Sequence, residues 1–138
     1  MCESRYVRRA EELRASTDVI YNCCQAVVVP FTQDAGLPEE AVRRLTSNYG
    51  GGLKMGATCG AVCGGLMVLG LFGANDPALI GYYYRRLREK HDGMLNCADL
   101  LRVNKERGGL KKPHCDAMVR ECVALAEEIL RESGKLDG

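Results

Sequence analysis

Apolar side chains recur along this chain at helical spacing, and no stretch alternates apolar with polar residues for long enough to form a strand, so the pattern predicts an all-α fold. A first amphipathic helix is expected over about Glu3–Ala15. A second begins near Thr17, which can cap it, and runs to about Ala35 before Gly36, with a kink at Pro30, which has no N–H to donate. Pro38 suits a first helical position, and Glu39 and Glu40 suit the positive end of the helix dipole. They open a third helix to about Asn48, which Gly50, Gly51 and Gly52 end. Thr58 can cap a fourth, Cys59 to about Phe72, and Asp76 with Pro77 opens a fifth through Tyr84 to about Lys90. Asn96 can cap a short helix through Leu101, a polar loop carries Gly108 and Gly109, and a last helix runs from about Pro113 to Glu132. The expectation is a single-domain helical bundle of about five to seven helices over residues 1–138, without linker or internal repeat.

Composition narrows the function more by exclusion than by assignment. The longest nearly uninterrupted apolar run, Ala61–Ala74, is 14 residues, whereas a spanning helix needs roughly 20, so it reads as a buried core helix and no membrane insertion is expected. Hydrophobic residues at 46% and charged residues at 27% are the proportions of a folded globular chain. With 19 Lys plus Arg against 18 Asp plus Glu, no strong field draws the chain to nucleic acid or an anionic membrane. Arg8-Arg9, Arg43-Arg44 and Arg85-Arg86 have acids nearby and read as solvated faces. Met1 to Arg14 is charged throughout and lacks the apolar segment of a signal peptide, which makes the cytoplasm the expected location. Gly50–Gly52 have neither phosphate-cradling spacing, so flavin or nicotinamide chemistry would belong to a partner. Tyr82, Tyr83 and Tyr84 cannot share one helix face; at least one ring should be exposed, a candidate homodimer contact.

Eight cysteines in 138 residues is high, and in a reducing compartment they point to metal binding or catalysis more than to structural bridges. No two have CxxC spacing. Cys23, Cys59, Cys97 and Cys115 are 36, 38 and 18 positions apart, so any shared site must be assembled by tertiary folding. Cys59 follows Thr58, Cys97 follows Asn96 and Cys115 falls in the opening turn after Pro113. At helix starts, unpaired N–H groups and the dipole favour a thiolate or an anionic cofactor and lower thiol pKa values. Lys111 and Lys112 reinforce this at Cys115. Cys23 is expected in mid-helix on a core-facing stripe with Val19, Ala26 and Val27, where it could complete a tetrad. Cysteine is also a small hydrophobe. Cys122 lies on the stripe Cys115, Met118, Cys122, Leu125, Ile129, and Cys63 on Cys59, Val62, Cys63, Leu66, so both read as core packing, with Cys2 an exposed bystander. His91 and His114 read as surface side chains, although His114 adjoins Cys115 and is a candidate ligand or proton donor. Gly60, Gly64 and Gly65 would admit either a cofactor or a neighbouring helix, the latter favoured at Gly64 and Gly65.

The stretches Asn22-Cys23-Cys24-Gln25-Ala26-Val27, Gly50-Gly51-Gly52, Thr58-Cys59-Gly60-Ala61-Val62-Cys63-Gly64-Gly65 and Asn96-Cys97-Ala98-Asp99-Leu100-Leu101, with Cys115 opening the final helix, resemble the CGAxxG-containing (C_GCAxxG_C_C) family of redox-active four-cysteine proteins over about Tyr21 to Ile129. The resemblance implies signature cysteines at Cys23, Cys59, Cys97 and Cys115, with Cys24 and Cys63 at variable positions. That family resembles the iron-sulfur domain attached to split-Soret cytochromes, which implies an iron-sulfur cluster held by the four thiolates. It would serve electron transfer or redox sensing with a redox partner protein. Two alternatives stay open: thiol-disulfide exchange with Cys59 as the attacking thiol and another cysteine resolving, and a closed zinc site that stabilises the fold.

Overall fold

The computed structural model of the chain describes residues 4–136, and these fold as an all-α protein. Eight α-helices follow in order: α1 Arg5–Ala15, α2 Cys23–Val28, α3 Thr32–Ala35, α4 Glu39–Leu45, α5 Gly60–Leu71, α6 Pro77–Lys90, α7 Cys97–Glu106 and α8 Lys111–Glu132. Among the described residues the only β-pairing is one isolated bridge, Thr58 to Asn96.

The count exceeds the expected five to seven because the second helix is divided. Residues 16–22 are not helical, and α2 starts only at Cys23 behind a capping box. Asn22 accepts from the Gln25 N–H while the Gln25 side chain accepts from the Asn22 N–H, each at 2.8 Å, satisfying two of the donors a helix start leaves unpaired. Pro30 then interrupts the hydrogen-bond ladder, and Val29–Phe31 form a 3-10 turn leading into α3, which ends at Gly36 with φ of 73°. The other boundaries differ by less. Ser4 caps α1; Glu3, its expected first residue, lies outside the described residues, as does Cys2. Pro38 precedes α4 rather than opening it, α4 stops at Leu45, α7 extends past Leu101, and α8 starts two residues before Pro113.

Helix α5 is apolar on every side and is accordingly central, packed against α2 and α8, with α1 lying along α8. Its glycines let neighbours in. A methyl at Gly64 would sit 2.8 Å from the Val27 Cβ of α2, and one at Gly65 would overlap the Tyr83 phenol of α6. Tyr83 is fully buried there and its hydroxyl donates to the Val62 carbonyl at 2.9 Å. The helix-packing reading of Gly64 and Gly65 is the one the fold uses. Tyr6, Ala10 and Leu13 form the buried stripe of α1, and Tyr6 stacks on Phe31 with ring centres 4.3 Å apart. Tyr82 and Tyr84 are half-buried under arginine side chains, so the expected exposed ring is absent. No helix of the described residues is long and apolar enough to cross a membrane.

Candidate functional site

Cys23, Cys59, Cys97 and Cys115 all line one cavity of about 200 Å³, together with Arg14, Asn22, Gly51, Gly60, Lys111 and His114. Each cysteine is delivered by a different helix. Cys23 is the first residue of α2, Cys59 the N-cap of α5, Cys97 the first residue of α7, and Cys115 lies one turn inside α8. Three helix starts therefore converge, as expected in number but not in membership. Cys23 takes the place assigned to Cys115, because the Asn22–Gln25 box starts α2 at Cys23 and α8 starts early.

Local bonds fix these positions. The Asn22 amide donates to the carbonyls of Thr46 and Ser47, at 3.2 and 3.1 Å, and ties the start of α2 to the end of α4. Around the Thr58–Asn96 bridge, the Cys59 N–H donates to the Leu95 carbonyl at 2.8 Å and the Cys97 N–H to the Ala57 carbonyl at 2.6 Å, so α5 and α7 start side by side. Expected caps Thr58 and Asn96 make this bridge rather than side-chain caps.

The segment before Thr58 is unusual. Gly51, Gly52, Leu53 and Lys54 have φ of 63°, 64°, 60° and 58°, four consecutive residues in the left-handed region, which costs a side-chain-bearing residue roughly 1–2 kcal/mol. Gly52 is where the turn meets the site: an added Cβ would lie 2.6 Å from the Cys97 Cβ and against the Ala57 carbonyl whose oxygen receives the Cys97 N–H. Gly51 thus lines the cavity and Gly52 backs Cys97, several residues after α4 has ended. Gly52→Ala is expected to displace Cys97 and to destabilise the protein by about 2–4 kcal/mol, read by urea unfolding, with the Cys97 thiol becoming more reactive toward alkylation.

The thiols have unequal charge preferences. Cys59, buried at 7% exposure, accepts hydrogen bonds from the Ala61 and Val62 N–H groups, which favour its thiolate, but burial outweighs them and pushes its pKa up to about 11. Burial also raises Cys97, aided by the charge of Cys115 and opposed by Lys111. Cys23 and Cys115 are close enough to shift each other's acidity in opposite directions. In that pair Cys115 is lowered, first by the neighbouring Cys23 thiol and then by Arg14 and Lys111, whereas Cys23 is raised by Cys115 and by burial. Thiolate character therefore falls on Cys115, not on Cys59, because a helix N-terminus alone does not offset burial.

Arg14 is the site residue with no signal in the sequence. Its guanidinium donates to Asp116 at 2.7 Å and to the Tyr21 carbonyl at 2.8 Å, which holds the end of α1 over the cavity beside Cys23 and Cys115. His114 lines the cavity, half-buried, with burial holding its pKa below the usual imidazole value. His91 is engaged elsewhere, 3.0 Å from Glu121. Cys122 is a core residue with no exposure, Cys24 is equally buried with its sulfur 3.8 Å from that of Met67, and Cys63 is half-buried with its thiol directed at the Thr58 carbonyl.

A family model described as Putative redox-active protein (C_GCAxxG_C_C) matches residues 21–129. The chain belongs to this family. The match contains all four cavity cysteines and the Cys59-Gly60-Ala61-Val62-Cys63-Gly64 stretch, and it leaves out α1. In this C_GCAxxG_C_C protein, Arg14 thus reaches the cysteines from outside the matched region. No curated protein and no solved structure matches the chain.

Proposed function

We propose that the four thiolates of Cys23, Cys59, Cys97 and Cys115 hold an iron-sulfur cluster and that the protein is an electron carrier or redox sensor. The observation that carries this reading is the void between the cysteines: all four line one cavity of about 200 Å³. Four sulfurs on one zinc sit about 2.3 Å from it, whereas a cluster needs thiolates spread around an inorganic core. The donor chemistry fits as well. N–H groups aimed at Cys59, with Arg14 and Lys111 beside Cys115, would stabilise four anionic sulfurs that burial disfavours. When bound, the cluster would supply one-electron exchange; the chain supplies ligands, hydrogen bonds to sulfur and partial exclusion of water. Protein purified without oxygen is expected to be brown and to contain iron and acid-labile sulfide in equal amounts. Colourless protein with neither, even after anaerobic reconstitution, contradicts the reading.

A second reading rests on the Cys23–Cys115 pair. The Cys115 thiolate would attack a disulfide to form a mixed disulfide and release one thiol; Cys23 would then displace the second thiol, leaving a Cys23–Cys115 disulfide and two reduced substrate thiols. In reduced, metal-free protein, iodoacetamide at neutral pH is expected to label Cys115 roughly tenfold faster than Cys59, scored by mass spectrometry of digests, and Arg14→Met should slow it. A stable mixed disulfide trapped on Cys115 in a Cys23→Ser variant, in protein that takes up no iron, would favour this reading over the first.

A further inference from the structure

Ile20, Met55 and Leu110 are the most exposed large apolar side chains of the described residues, at 78%, 77% and 75%, and each lies in a segment that contributes a residue to the cysteine cavity or to the groove that adjoins it. Ile20 walls a groove of about 430 Å³ that shares Arg14, Lys111 and Cys115 with it. Leu110 directly precedes Lys111, and Met55 follows the left-handed run of residues 51–54 whose Gly51 lines the cavity. Scattered exposed leucines need no explanation, but the strongest three, all on segments next to the cysteine cavity, mark a candidate contact surface.

The lining of the cavity and groove is basic, with Asp18 and Asp116 the carboxylates of the flanking segments. No Asp or Glu lines either the cavity or the groove, whereas Arg14, Lys111 and Lys112 do. Asp116 engages Arg14 and Lys112 from the side, at 2.7 and 3.2 Å, which leaves two cations against one carboxylate there. Lys111 has no carboxylate partner among the described residues, and Lys54, beside Met55, bonds only the neutral Asn48. With a net charge of only +1 for the whole chain, the basic face is local rather than a reflection of a basic protein. Beneath it Cys97 and Cys115 are half-buried, and Cys59 lies deepest.

We propose that this face docks an electron-carrying partner protein with an acidic surface, its apolar contact made on Ile20, Met55 and Leu110 and its approach steered by Lys54 and Lys111. Apolar anchors within a charged rim are the anatomy of such an interface, and the rim sets on-rate and partner sign. Only the word electron-carrying rests on the function proposed above; the acidic character of the partner follows from the face itself.

The test is an NMR titration of the isotopically labelled full chain with two carriers of opposite charge, an acidic flavodoxin and a basic cytochrome c. Flavodoxin is expected to shift amides in residues 17–22, 51–56 and 109–116. Raising salt from about 0.05 to 0.5 M should weaken binding at least tenfold, and the charge reversal Lys54→Glu with Lys111→Glu should do the same in a variant that circular dichroism shows to be folded. Cytochrome c should leave these amides unmoved. Equal binding of both carriers, salt-insensitive binding, shifts on another face, or no flavodoxin binding overturns the proposal. Docking on this face by protein that takes up no iron or sulfide would sink the cluster and keep the interface; iron uptake without docking would do the reverse.

Discussion

Reduced, metal-free protein is expected to lose stability steeply above pH 9 and to unfold before pH 12. The cause is three buried thiols that the fold holds neutral. Cys24, with no exposure, is pushed up to about 12, Cys59 to about 11, and Cys122, fully enclosed, well above the ordinary thiol value, in each case chiefly by burial. In the unfolded chain each ionises near pH 8.5. These groups have folded pKa values raised above the unfolded ones, so their contribution is complete below the unfolded pKa and is lost as pH climbs toward the folded one. Each removes about 1.4 kcal/mol per pH unit in that window, so the three together remove about 4 kcal/mol per unit. Against a total stability of about 5–15 kcal/mol, two or three units are enough. Urea unfolding at pH 8, 9, 10 and 11 reads the slope directly, and Cys122→Ala should reduce it by about one third. A flat profile would mean these thiols are solvated.

Gly65→Ala is expected to be the most damaging single methyl that can be added to the chain. The new Cβ would overlap the Tyr83 ring, which has no exposure to yield into and whose hydroxyl is committed to the Val62 carbonyl. Moving the ring breaks that buried hydrogen bond and opens the contact between α5 and α6, at a cost of about 3–5 kcal/mol. The expected fall in Tm is on the order of 10–20 °C. Gly70, in the same helix, supplies the control. Nothing lies within 4 Å of an added Cβ there, so Gly70→Ala should stabilise by about 0.5–1 kcal/mol through helix propensity. Calorimetry on the pair separates close packing from a general dislike of alanine.

The sequence was most legible where a single local rule decides. Asp76-Pro77 opens α6 as expected: Asp76 accepts from the Ala78 N–H at 2.8 Å and Pro77 occupies the first turn. The apolar run after Cys59 became the central helix, and Cys122 packed as a small hydrophobe. What failed was the segment around Cys23. Apolar spacing from Val19 to Val27 reads as one continuous helix, yet Asn22 and Gln25 form a capping box that starts α2 there; the Asn-x-x-Gln spacing was visible and outweighed the stripe. The left-handed path of residues 51–54 had only its glycines as a sign, since Leu53 and Lys54 do not favour that conformation. The long-range contact of Arg14 with Asp116 has no local signature at all. Thiol acidity likewise depends on burial and on the neighbour a fold supplies. For that reason Cys115 beside Cys23 and Arg14, rather than Cys59 at its helix start, holds the lowered value.

The proposed redox centre, built from four helices, implies that Cys23, Cys59, Cys97 and Cys115 are equivalent in need and that the remaining cysteines are dispensable. The most direct measurement is iron and acid-labile sulfide per chain, with the visible charge-transfer absorption, in anaerobically reconstituted single Cys→Ala variants at Cys23, Cys59, Cys97, Cys115, Cys24, Cys63 and Cys122. The expected result is loss of bound iron and colour in the first four and retention in the last three, with circular dichroism showing all seven folded. Full cluster retention in any of the first four, or its loss in a folded Cys24 or Cys63 variant, would contradict the account.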